Sequence, residues 1–324
     1  SDFNVGMLSF SDDKLVVFNR NSIHIVVGNG DLSGFQSQLL TDEVGLTARN
    51  SVIQVGNQII FLSDNGVYGL SFVDLYNLRG NEVPLSESIQ KTIDTINKAH
   101  VDKASAVYFD NKYYLAVPTG TSEVNNTLLI YNFLNKSWES IDNVNNVDLS
   151  GSTFSSFEFT KLLVAGKGLK RGVYVTNTDG GIHKLEVFAD GIDRVITDIG
   201  VTTETETRVQ GSATTRMFTL GSIDRKKFNN FELHLQSGPD NSSDVSISAV
   251  SENLDSEPAL DLKDASDYIG TVIAPDEDVS IRGRIGNKRA YGLQLTLTSI
   301  LGRPRFRSLK IAGAETFRST SSVQ

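Results

Sequence analysis

The stretch Val55-Gly56-Asn57-Gln58-Ile59-Ile60-Phe61-Leu62-Ser63-Asp64-Asn65-Gly66-Val67-Tyr68 decides how this chain is read. An apolar run stands between two short polar clusters built from Gly, Asn and Asp. Those residue types tolerate the positive φ that two-residue hairpin turns require, so the stretch predicts strand, turn and strand again. Working outward, the same chemistry recurs. Residues 14–18 follow Asp12-Asp13, residues 112–117 follow Asp110-Asn111, and residues 162–165 and 172–176 form a fourth pair. A further short strand follows each hairpin, at 22–27, 66–72, 128–133 and 181–188. Asp13 and Asn57 are 44 positions apart, and Asn57 and Asn111 are 54 apart. A period of about 45–55 residues with several strands per unit predicts β-propeller-like blades over residues 1–200. A β-sandwich with irregular hairpins is the alternative reading.

One segment departs from this rhythm. Pro84-Leu85-Ser86-Glu87 leads into Ile89, Ile93 and Ile96, spaced for one helical face. Ser86 has the chemistry of a cap and Glu87 suits a first turn, so a short packing helix across the sheet edges is expected. From residue 201 the texture changes again. Strand-like runs at 231–236, 245–250, 279–284, 292–298 and 306–312 flank an acidic loop at 252–278. They predict a β-sandwich-like domain over 201–324. The whole is thus expected to be all-β. Four blades do not readily close a ring, and Ser1 is not an initiator Met. The expectation is a segment of a longer protein, or closure supplied by partner chains.

Composition narrows the chemistry. The chain has 324 residues, 39% apolar and 21% charged, enough to bury a core. It has no Cys, which excludes disulfides and thiolate catalysis. Its four His do not form a ligand motif, and no apolar run reaches the length of a helical membrane span. Asp64-Asn65-Gly66 and Asp179-Gly180-Gly181 read as turns. Gly28-Asn29-Gly30 and Gly166-Lys167-Gly168 lack the strand–loop–helix context of a phosphate loop. The acids Asp261, Asp264, Asp267, Asp276, Glu277 and Asp278 lie in a polar loop with no aromatic platform for a sugar. No catalytic residue, cofactor site or metal site is expected.

Charge distribution is the quantitative oddity. Nine basic residues from 280 onward face one acid, Glu315, which gives +8. The net charge is −9, so residues 1–279 carry −17. A uniformly basic nucleic-acid binder is excluded, whereas a local basic strip is not. Arg282 and Arg284 alternate, as do Arg303, Arg305 and Arg307, so each set lines one strand face. With Lys288, Arg289 and Lys310 they are the candidate contact residues, toward DNA phosphates or an acidic partner surface. A solvated strand face is the other reading.

Beyond these patterns, the chain resembles a known family. The residues that carry the likeness are 15–23, 45–52, 55–68, Tyr113-Tyr114-Leu115-Ala116-Val117-Pro118, and Leu129-Ile130-Tyr131-Asn132 closing on Lys136-Ser137-Trp138. Ile281-Arg282-Gly283-Arg284-Ile285-Gly286, Gln294-Leu295, Gly302-Arg303-Pro304 and Ser308-Leu309-Lys310 extend it. Together they look like the β-propeller tail proteins of short-tailed bacteriophages, called nozzle, tail hub or DNA-stabilisation proteins. The resemblance implies a structural, non-enzymatic subunit of a hexameric tube in the virion tail, assembled in the host cytoplasm. Such a tube meets the tail adaptor and other tail proteins, retains packaged DNA through non-specific contact and opens for ejection. Family members are usually longer at the N-terminus. A carbohydrate-binding or glycan-hydrolysing propeller, or a monomeric adhesion or scaffold module, are the alternatives.

Overall fold

A computed structural model of the chain describes residues 2–11, 14–28, 34–72, 78–80, 83–143, 158–178, 182–185, 192–196, 204–208, 211–221, 224–237, 243–252, 262–263, 271–273, 277–285, 289–301 and 304–315. They fall into two compact units, with the boundary between residues 185 and 192, ahead of the expected position near 200.

The first unit holds four antiparallel meanders. The first sheet is β1 (Asn4–Ser11), β2 (Lys14–Asn19), β3 (Ile23–Val27) and β4 (Gln36–Thr41). The second is β5 (Ile53–Val55), β6 (Gln58–Ser63), β7 (Gly66–Phe72) and β8 (Leu78–Gly80). The third is β9 (Ser105–Phe109), β10 (Lys112–Val117), β11 (Thr127–Asn132) and β12 (Ser137–Asn143). The fourth is β13 (Phe159–Ala165), β14 (Gly172–Asn177) and β15 (Ile182–Lys184).

Turn chemistry sets these hairpins. Asp110 and Asn111 have φ of 48° and 59°, the left-handed pair that turns β9 into β10 with Phe109 opposite Lys112. Gly66, at φ 147°, closes the β6–β7 turn. A Cβ there would stand 2.4 Å from Ser86 Oγ, so the position takes no side chain.

Three cores join the four meanders face to face. Val16, Phe18 and Ile23 of the first sheet pack on Ile59, Phe61 and Leu70 of the second. Ile60, Leu62 and Val67 meet Tyr113, Leu115 and Leu129 of the third. Tyr114, Ala116 and Ile130 on the third sheet's other face meet Phe159, Leu162 and Val175 of the fourth. Strands sandwiched in this way are apolar on both faces, which is why β10 reads Tyr113-Tyr114-Leu115-Ala116-Val117 without alternation. Each large side chain removed from water here contributes about 1.5–3 kcal/mol.

Tyr113 and Ser51 pair their polar atoms inside the core. Tyr113 Oη donates to the Ser51 carbonyl at 2.9 Å, and burial pushes that phenol's pKa up. Ser51 Oγ donates to the Ala48 carbonyl and accepts the Leu62 amide. The predicted helix is a 3₁₀ turn at Glu87–Ile89 followed by α1 (Gln90–Ile93), with Ile93 and Ile96 buried in the core of the second and third sheets. Ser86 does not cap it. Its hydroxyl accepts the Val67 amide of β7 instead, at 3.0 Å.

The expected propeller is corrected by this arrangement. The architecture is all-β, built of several small antiparallel sheets, none closed into a propeller or barrel. Consecutive sheets stack in chain order, and among the described residues no core cluster joins the fourth sheet back to the first. A hairpin period reports local turns. Ring closure depends on a contact between the first and last sheets, about which the period is silent.

The second unit begins with a ribbon of β16 (Ile192–Ile196) and β17 (Glu204–Arg208). The strands that follow are β18 (Gly211–Thr214), β19 (Lys226–Gln236), β20 (Ser243–Glu252), β21 (Leu262–Lys263), β22 (Thr271–Ile273), β23 (Asp278–Ile285), β24 (Arg289–Ala290), β25 (Gly292–Leu301) and β26 (Arg305–Glu315). One sheet runs β18-β25-β20-β22. In the other, β19 is central, with β23 and β24 paired along it and β26 as a further partner. Phe231, Leu233, Leu235 and Ile281 of the second sheet share one core with Val245, Ile247, Leu293 and Leu295 of the first. Where the sequence predicts successive domains over 1–200 and 201–324, the structure has two compact units, each built of separate small sheets.

Candidate interaction surface

The outward face of the β19 sheet gathers most of the predicted contact residues. Phe231, Leu233 and Leu235 point into the core, so strand alternation turns Glu232, His234 and Gln236 outward. On β23 the same alternation buries Ile281 and Ile285 and exposes Arg282 and Arg284. Gly283 sits between the two arginines, opposite Phe231. A Cβ at Gly283 would stand 2.3 Å from the Phe231 ring.

Register then sets the charges side by side. Glu232 pairs with Arg282 on one flank and Lys310 on the other. Its carboxylate accepts Arg282 Nε at 2.7 Å, Ser280 Oγ at 3.2 Å and Lys310 Nζ at 3.4 Å. His234 Nε2 stands 3.4 Å away. The hydrogen bond from Arg282 leads the causes that hold the Glu232 carboxyl down at about 2, with Ser280 and the charge of Lys310 adding to it. An irregularity opposite His234 and Leu235 leaves Arg307 as an extra residue on β26, and its guanidinium donates to Gln236 Oε1. Arg305 pairs with Gln236 itself.

Of the eight predicted residues, the structure therefore brings Arg282, Arg284, Arg305, Arg307 and Lys310 to one face. Arg289 is exposed on β24, at the Lys226–Lys227 end of β19. Lys288 and Arg303 lie outside the described residues. Two shallow, open concavities cross the face. One, of about 630 Å³, is lined by His234, Asp278, Ser280, Arg307 and Lys310. The other, of about 510 Å³, is lined by Asn230, Glu232, Arg282, Arg284 and Lys310. Five cations against Glu232 and Asp278 leave the face cationic. It can bind anions through these side chains.

The remaining candidates are placed as follows. Asp64-Asn65-Gly66 is the β6–β7 turn, and Arg20 ion-pairs with Asp64 at 2.8 Å. Gly166 and Gly168 take positive φ in the loop from β13 to β14. Asp179-Gly180-Gly181, Asn29-Gly30 and the acids Asp261, Asp264, Asp267 and Asp276 lie outside the described residues. Among the described residues no group of three or more His, Asp or Glu could hold a metal ion. No helix of the described residues is long and apolar enough to cross a membrane.

Glu232, His234 and Gln236 were missed as site residues, although the polar position at every second residue of 231–236 was a signal for an outward face. Their role as the anchor of the cations depends on pairing with residues 50 and 78 positions away, which no local pattern reports.

No family model and no curated protein matches the chain. Solved structures give faint likenesses. An exo-β-1,3-galactanase from Phanerochaete chrysosporium with β-1,3-galactotriose is 9% identical, with a TM-score of 0.31 over 94% of this chain and 80% of that one. A hemopexin fold protein, CP4 from cow pea, is 12% identical, with a TM-score of 0.28 over 57% and 94%. A 2S albumin seed protein from Dolichos is 12% identical, with a TM-score of 0.28 over 63% and 92%. Likeness this faint assigns neither fold nor activity. None of the three is a phage tail protein, so they lend the tail resemblance no support.

Proposed function

We propose that the chain is a structural subunit of an oligomeric channel that retains packaged DNA and permits its release, the role that its resemblance implies. The observation that carries this reading is the cationic outward face of the β19 sheet, with Arg282 and Arg284 on β23 and Arg305, Arg307 and Lys310 on β26, the two strands that flank β19. Such a face suits phosphates or an acidic neighbouring subunit, and its strength should fall with salt. The acidic remainder of the chain disfavours adhesion of DNA elsewhere.

The two open concavities favour a second reading, a monomeric module that binds an acidic glycan or protein on the same face. Their volumes lie within the range of ligand sites.

The combined variant Arg305→Glu and Arg307→Glu tests both. Light scattering and retention of double-stranded DNA at low and high salt are measured, with circular dichroism as the folding control. Loss of assembly or of salt-sensitive DNA retention supports the channel role. Unchanged assembly and retention would sink it. A monomeric wild-type chain whose glycan-array binding disappears in the variant would establish the second reading.

A further inference from the structure

The first and fourth sheets end the stack of the first unit, and their outer faces differ from those of the second-unit sheet. On the first sheet, register aligns Met7, Val17, His24 and Leu39 in one row across all four strands. Ser9, Leu15, Val26 and Ser37 form the next row on the same face. Five of these eight are apolar and none is an acid, Lys or Arg. Met7 is 65% and Leu39 50% exposed. The inner face of the same sheet, with Val16, Phe18 and Ile23, is covered by the second sheet. The outer face has the composition of a covered one and stands uncovered among the described residues.

At the other end, the outer face of the fourth sheet carries Leu163, Tyr174 and Lys184 in one row and Lys161, Thr176 and Ile182 in the next. Ile182 is 68% exposed. Charge separates the two ends. Residues 1–45 hold six acids and two bases, net −4, whereas residues 158–185 hold five bases and two acids, net +3.

We infer that the outer face of the first sheet docks on the outer face of the fourth sheet of a second copy of this chain, head to tail. The largely apolar rows of the first sheet meet Leu163, Tyr174 and Ile182 of the fourth, with Lys161 and Lys184 of the basic end directed toward the acidic end. The contact is heterologous, so each copy keeps a free face of either kind and repetition gives a ring or a filament. Strand spacing and rise give the four-stranded face about 20 by 20 Å and the three-stranded face about 14 by 20 Å, so the pair buries about 560 Å² in total. That is below the roughly 1,200 Å² of a stable free pair. The contact is therefore weak singly and holds when each copy makes two. It rests on the proposed oligomeric role only in taking a second copy as the occupant, and it uses a surface separate from the β19 face.

Cysteine trapping tests it, because the wild-type chain has no Cys. Chains carrying Leu39→Cys alone and Ile182→Cys alone are purified, mixed and oxidised. A dimer-sized product several-fold above that of either variant by itself is expected, and added salt should reduce it. Equal self-trapping of Leu39→Cys would overturn the inference in favour of two first sheets meeting. Absence of dimer from the mixture would overturn it outright. An intramolecular loop as the sole product of the doubly substituted chain would show instead that one chain's stack closes on itself. The Arg305→Glu and Arg307→Glu chain should trap as well as its parent, so failure here leaves the β19 face to stand or fall on its own test.

Discussion

Sheets in the first unit and the β19 sheet of the second use opposite patterns. Strand β11 is buried at every position from Thr127 to Asn132, because sheets lie against both its faces. Strand β23 alternates, with Ile281 and Ile285 inside and Arg282 and Arg284 outside. A strand covered on both sides has no position to spare for charge. One covered on a single side can hold a row of cations at no cost to its core. The contrast teaches where function is free to reside in this chain: on the half-covered sheet, and at the uncovered ends of the stack.

The contrast predicts a ranking of sensitivities. Phe61 is fully buried between the first two sheets, beside Phe18 at 5.3 Å. Phe61→Ala should lower unfolding free energy by about 4 kcal/mol, read from urea denaturation. The single Trp, Trp138, reports on the first unit through its contacts with Tyr131 and its hydrogen bond to the Leu85 carbonyl, so its fluorescence should follow the loss. Leu233→Ala in the β19 core should cost about 3 kcal/mol by the same measurement. A loss there as small as that of a surface change would break the comparison. Tyr113→Phe removes a hydrogen bond while keeping the ring, and about 1 kcal/mol is expected.

The smallest effect belongs to the outward face and should appear as a pH dependence. Glu232 has its carboxyl lowered from about 4.5 to about 2 in the folded chain. Its contribution is therefore present above about 4.5 and is lost as pH falls toward 2. Stability of the Glu232→Gln chain should show a flatter profile across that window. Equal slopes for variant and parent would mean that the cations do not depend on the carboxylate.

Much of this was legible locally. Gly56-Asn57 and Asp110-Asn111 mark their hairpins because their residue types suit the turns. The Ile89, Ile93 and Ile96 spacing marks the helical segment. Unbroken apolar runs such as 113–117 mark strands with both faces covered. The alternating arginines mark an outward face. What the chain hides is long-range. Open stacking and ring closure share the same hairpin period. Ser86 has the chemistry of a cap, but the Val67 amide, 19 residues earlier, takes its hydroxyl. The extra residue at Arg307 depends on the match of β26 to β19, so the simple alternation of Arg305 and Arg307 does not describe their placement.

Gly283 carries a consequence for how this surface can vary. The Phe231 ring occupies the space where its side chain would be. In a library randomising 281–285, selection for folding alone should retain Gly283, Ile281 and Ile285 while Arg282 and Arg284 drift. Selection for binding should restore the arginines without relaxing the glycine. The two pressures therefore write on alternate letters of the same five-residue word, and sequencing both pools would separate them.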